Sequence, residues 1–217
     1  MSNSLRLIFS LGVLFLCTVP CLRAADDADG WKAVSTEDNL TVYERARKGA
    51  SLLEHKGVGI IDADTTVVKR VLDDTDEYPH FMPYVVETKT LSRTADHRVG
   101  YQRLSPPLVG DRDYTVKITY ENHTAPGGGE CYCNRWEAAN ELGPPEKKGV
   151  TRIKVTEGYW MLEPAGAGKT KATYFIYCDS GGNMPAFILN TANKTAIPKL
   201  FEAIRKQAKL DKYQHAK

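Results

Sequence analysis

The sequence predicts an α+β fold in which a curved antiparallel sheet wraps around a long C-terminal helix, the space between them being either filled core or an internal apolar cavity. Three observations carry this. Between residues 84 and 178 the chain alternates short strand-like segments with Gly- and Pro-rich turn signals. After Gly181-Gly182 the period changes, and an apolar stripe recurs at helical spacing. With 217 residues, 42% hydrophobic and 26% charged, the composition is that of one globular domain.

The first element stands apart. Arg6 precedes the apolar run Leu7 to Cys17, followed by Pro20 and the small pair Ala24-Ala25, the pattern of a secretory signal peptide. The run is about half the ~20 residues that a membrane-spanning helix requires. Residues 1–24 are therefore expected to be removed, leaving 25–217 as a single exported domain, periplasmic or secreted. Cys21 follows Pro20 rather than a small residue, which disfavours a lipid anchor. Removal takes away Arg6 and Arg23 and no acid, so the formal charge falls from +2 to about zero. A nucleic-acid partner is not expected from a chain of that charge.

The domain opens with strand patterns at 40–47 and 52–61 around a Lys48-Gly49 turn, a plausible hairpin. Asp64 is an N-cap candidate for a short helix over 65–74, with Val67, Val68, Val71 and Leu72 on one face; Pro79 and Pro83 end that helical region. Six strands follow at 84–92, 97–105, 112–121, 130–139, 150–163 and 170–178. In the third, Tyr114, Val116, Ile118 and Tyr120 alternate with Thr115, Lys117 and Thr119, giving one apolar and one wet face. Pro185 suits a first helical turn. Phe187, Ile188, Ala192, Ala196, Leu200, Phe201 and Ile204 then form the stripe of a helix ending near Leu210, with a kink expected at Pro198.

The chain resembles the START (steroidogenic acute regulatory-related lipid transfer) family of the helix-grip superfamily over about residues 30–210. The resemblance rests on Trp31 with Val42-Tyr43, the string from Tyr78 to Pro83, Asp111 to Tyr114, Gly158 to Trp160 with Glu163-Pro164, Lys169-Thr170 with Tyr174, and Asp179 with Gly182 and Pro185. It implies a tunnel between sheet and C-terminal helix holding one lipid or sterol, without cofactor or catalysis. A ligand hiding 300–400 Å² of apolar surface would gain on the order of 8–10 kcal/mol at about 25 cal/mol per Å², before the costs of binding. Some animal sterol-handling relatives carry an acid and a base within the cavity; the corresponding positions here are Val99 and Ile118. That substitution implies a less polar pocket, and leaves sterol, fatty acid, phospholipid, hopanoid and quinone equally open.

The ligand-binding candidates are Val99, Tyr114, Val116, Ile118, Trp160 and Tyr174 on the sheet, and Met184, Phe187, Ile188, Thr191 and Ala192 on the early helix. Pocket wall and plain core share the same apolar chemistry, so both readings stand for the apolar positions. Thr191 and Thr195 offer hydroxyls to a head group, or satisfy their own backbone. Asp111, Arg112 and Asp113 read as a structural ion pair or as solvated charges rather than an acid/base cluster. The helix carries an excess of Lys and Arg that would favour transient contact with an anionic membrane surface. A monomer is expected.

Other chemistries find little support. Gly166 to Thr170 mimics the end of a phosphate-binding loop, but Glu163 replaces its first glycine and strands flank it. The five histidines lack a hydrolase spacing. Cys131 and Cys133 are too few ligands for zinc. With Cys178 they are expected as thiols or with one bridge to Cys178. A cyclase-like or hydrolytic enzyme on the same scaffold is the alternative function, and an interaction domain with a filled core the third.

Overall fold

The structure is a computed structural model and describes residues 29–107, 109–125, 128–182 and 184–215. The expected signal peptide and its cleavage site lie outside the described residues. Ten strands form one sheet: β1 Lys32–Glu37, β2 Leu40–Ala46, β3 Leu53–Ile61, β4 Val85–Arg93, β5 His97–Leu104, β6 Arg112–Thr124, β7 Glu130–Ala138, β8 Thr151–Arg152, β9 Val155–Pro164 and β10 Thr170–Asp179. Four α-helices accompany them among the described residues: α1 Thr65–Asp73, α2 Tyr78–Phe81, α3 Ala186–Gln207 and α4 Asp211–Gln214. The strand order is β1-β2-β3-β10-β9-β7-β6-β5-β4, with β8 pairing alongside β6. Every pairing is antiparallel except β6 with β8. The predicted meander is thus present, and its last strand closes against the N-terminal hairpin.

Several local expectations shift. Residues 32–37 add a first strand that the sequence reading omits, and 150–163 divides into β8 and β9. Pro79 does not end the helical region. It sits in the first turn of α2, where its missing N–H has no carbonyl to serve, and the chain leaves helix at Met82, before Pro83. Asp64 precedes α1 in extended conformation, yet its side chain makes no cap; its carbonyl accepts from Val67 and Val68. Pro185 is the N-cap of α3 rather than a first-turn residue, and α3 continues past Pro198 to Gln207.

The core lies between the inner face of the sheet and helices α1 and α3. Val68 and Val71 are fully buried from α1, and Ile197, Phe201 and Ile204 from α3. Two glycines of β3 set the approach of α3. A Cβ at Gly57 would stand 2.6 Å from Ile197 Cγ2, and one at Gly59 2.9 Å from Phe201 Cε1, so the second half of the helix presses onto bare backbone. The first half has no such clamp, and there the space opens.

The outer face is not uniformly wet. Asp113 and Thr115 on β6 are fully buried beneath the segment leading to β8. A Cβ on Gly143 would fall 1.8 Å from Thr115 Oγ1, which shows how closely this segment lies on the strand. Asn140 fastens it, accepting from Thr115 N at 2.9 Å and donating to Ile153 O at 2.8 Å. Arg152 completes the cover by donating to both carboxylate oxygens of Asp113, at 2.7 and 3.2 Å, while Tyr101 Oη donates to Asp113 at 3.1 Å.

Candidate functional site: a cavity between sheet and helix

A cavity of about 280 Å³ lies between α3 and the inner faces of β4 to β7, β9 and β10. It sits near the lower end of small-ligand sites, about 300–1,000 Å³. Its wall is largely apolar. The strand pleat decides which residues reach it: Gly100, Gln102 and Leu104 from β5, Tyr114, Val116 and Ile118 from β6, and Trp136, Trp160, Tyr174 and Ile176 from the strands beyond. From α3 come Leu189, Ala192, Asn193, Ala196 and Leu200. The two alanines are the smallest side chains on that helical face, so the helix roofs the space without filling it.

The aromatic floor is a stack. Trp136 lies against Tyr174 with ring centroids 5.7 Å apart, and Trp160 approaches Tyr174 at 4.6 Å and Phe201 at 5.3 Å. Gly158, the cross-strand partner of Trp136, makes this possible. A Cβ there would meet the indole at 2.3 Å and the Phe175 carbonyl at 2.2 Å. Burial raises the phenols of Tyr78, Tyr114 and Tyr174 above their ordinary value, and the Cys178 thiol to about 11, so all four stay neutral at physiological pH.

The predicted site residues divide. Tyr114, Val116, Ile118, Trp160, Tyr174 and Ala192 are on the cavity wall. Val99 is not: it points away from the cavity, beside its β6 partner Lys117. The residue that faces Ile118 is Arg98, so the expectation of a less polar pocket fails at this position. Cross-strand partners share a face, and the apolar alternation of β6 marks the inner one. That pairing was the available signal. Met184, Phe187, Ile188 and Thr191 also lie off the wall, because the buried stripe of α3 starts at Leu189, one residue round from Ile188. Phe187 is 70% exposed. The hydroxyls of Thr191 and Thr195 donate to Phe187 O at 2.8 Å and Thr191 O at 2.9 Å, which is the backbone role weighed for them.

The charged groups on the wall are cationic among the described residues. Arg98, 3% exposed, donates through Nη1 to Thr75 Oγ1 at 3.0 Å and Asp73 O at 3.3 Å. Arg112, 4% exposed, donates to the carbonyls of Gly110 at 2.9 Å, Ser180 at 3.1 Å and Val109, tying the β5–β6 and β10–α3 connections together. Arg112 therefore does not join Asp111 and Asp113, which pair with Arg103 and Arg152. Cys178 faces the cavity, whereas Cys131 and Cys133 alternate with inward-facing Tyr132 and Asn134, so a bridge to Cys178 would have to cross the sheet. All three are free thiols.

Comparison with known proteins agrees with this architecture. A STAR-related lipid transfer protein from Xanthomonas axonopodis is 28% identical and superposes with a TM-score of 0.75, over 84% of this chain and all of that one. Human phosphatidylcholine transfer protein is 24% identical across 82% of each chain. An aromatase/cyclase from Streptomyces sp. R1128 shares the fold at 12% identity and a TM-score of 0.54, over 75% of this chain and 96% of that one. The family model for polyketide cyclase/dehydrase and lipid transport matches residues 61–205, well over half of the sequence, and the chain belongs to that family, in its START-like helix-grip form.

Proposed function

We propose that this protein is an exported carrier that holds one hydrophobic ligand, a sterol, fatty acid, phospholipid or similar, between its sheet and α3. The observation that carries the reading is the cavity itself. Its wall combines an aromatic floor with a roof of small residues, a shape suited to an apolar body rather than to a filled core. A cyclase-like or hydrolytic reading would draw on an acid or base facing the ligand, and the wall includes no Asp, Glu or His among the described residues. The signal-peptide pattern supports export. Membrane contact would come through Lys194 and Lys206 of α3 and Lys209 just beyond it, which make no ion pair among the described residues, while Arg205 is held by Ile60 O and Lys199 by Tyr84. The carrier acts as a monomer.

Native mass spectrometry of protein purified from its own compartment, followed by solvent extraction, tests this directly. A stoichiometric lipid, with the mature N-terminus near residue 25, is the expected result. An empty protein that also binds nothing in a broad lipid panel would overturn the carrier reading. Ala196→Trp offers a second check, because an indole there would project into the space the ligand needs. Lipid affinity should fall by about tenfold or more, equivalent to at least ~1.4 kcal/mol, while the thermal midpoint holds. Unchanged lipid uptake would mean the ligand sits elsewhere.

A further inference from the structure

From the charge of the cavity wall we infer that the ligand is an anionic amphiphile whose head group is held by Arg98. This rests on the carrier reading and narrows it. Among the described residues three cationic side chains line the cavity, Lys89, Arg98 and Arg112, and no carboxylate does. Lys89 is largely exposed and paired with Glu87 at 2.9 Å. The two arginines are buried and have no acidic partner among the described residues. A guanidinium stays charged inside a protein, and a buried charge is ordinarily paired.

The arginines differ in what they have left to give. Arg112 spends Nε and Nη1 on three carbonyls that hold two connections together. Arg98 spends only Nη1; Nε and Nη2 make no hydrogen bond among the described residues, and they belong to a side chain on the cavity wall. A planar fork with adjacent free donors matches a carboxylate or phosphate. Arg98 pairs across the ladder with Ile118, six residues along β6 from Arg112, so the guanidinium-bearing positions stand roughly 20 Å apart at ~3.3 Å per residue. Between them lie Tyr114, Val116 and the aromatic floor, where an apolar tail would rest.

The test compares ligands of matched tail and different charge on the full mature protein at pH 8. One pair is a fluorescent anthroyloxy-palmitate and its methyl ester; the other is lysophosphatidate and the corresponding monoacylglycerol. Wild type should bind the charged member of at least one pair more tightly, by roughly ten- to a hundredfold for charge-assisted hydrogen bonds, and the pair with the larger ratio identifies carboxylate or phosphate. Arg98→Gln should close that ratio and Arg98→Lys keep part of it. Equal binding within both pairs by wild type overturns the inference while leaving the carrier reading intact, and needs no variant to fold. A ratio that survives Arg98→Gln and disappears in Arg112→Gln also overturns it. Failure of all four probes to bind strikes the carrier reading itself.

Discussion

Replacing Asp113 with Ala is expected to destabilise the fold by about 3–5 kcal/mol, the usual cost of stranding one member of a buried ion pair. Asp113 is fully buried and Arg152 is 9% exposed, so the remaining guanidinium would keep only the Pro144 carbonyl at 3.1 Å. Tyr101 would lose its acceptor as well. Urea unfolding of wild type, Asp113→Ala and the double variant Asp113→Ala with Arg152→Met separates the causes. The double variant should recover much of the loss, because neither charge remains to be desolvated. If it is no better than Asp113→Ala, packing rather than an unpaired charge is responsible. The effect should reach the cavity, since Ile153, next to Arg152, forms part of its wall.

Acid should weaken the fold through His55. This side chain is fully buried under α3, flanked by Glu44 on β2 and Ile176 on β10, and neither ring nitrogen has a hydrogen-bond partner among the described residues. Burial, and secondarily the Lys194 charge, lowers its pKa from 6.5 to about 4. The folded state therefore keeps His55 neutral where the unfolded chain already takes a proton. Its contribution is full above pH 6.5 and is lost as pH falls towards 4, by about 3 kcal/mol for a shift of roughly 2.5 units. His55→Leu should flatten the stability profile by that amount across this window, measured as the difference from wild type so that carboxylate titrations cancel. Parallel profiles for the two proteins would rule His55 out as the cause.

Much of the architecture was legible because two periods dominate the sequence. The alternation of Tyr114, Val116 and Ile118 identified the inner face of β6, and Val67, Val68, Val71 and Leu72 identified the buried face of α1. What stayed hidden depends on partners remote in sequence. Val99 and Tyr101 are the apolar residues in the middle of their strand and look inward by composition, yet both are buried on the outer face; Tyr101 contacts Asp113 there. Polar Arg98 and Gln102 face the cavity instead, because their ladder partners Ile118 and Tyr114 do. The stripe on α3 was displaced for a similar reason. Ile188 and Leu189 are equally apolar, and Gly57, on a strand far away in sequence, fixes the rotation of the helix through Ile197. Asp113 was legible only as a generic ion-pair candidate beside Arg112, because its actual partner, Arg152, is set by the parallel pairing of β6 with β8.

The pairing of β3 with β10 also dictates an order of assembly. Ile61 meets Thr170, whose hydroxyl donates to Ala63 O at 2.7 Å, so this seam joins the beginning of the domain to its end. Contacts of such separation are entropically costly and form slowly. The N-terminal hairpin must wait, its β3 edge unpaired, until β10 has been made and brought alongside. A chain arrested before that point would carry two open edges, at β3 and β9, each able to recruit a strand from another molecule. The nascent sheet thus has to be shielded before any cavity exists.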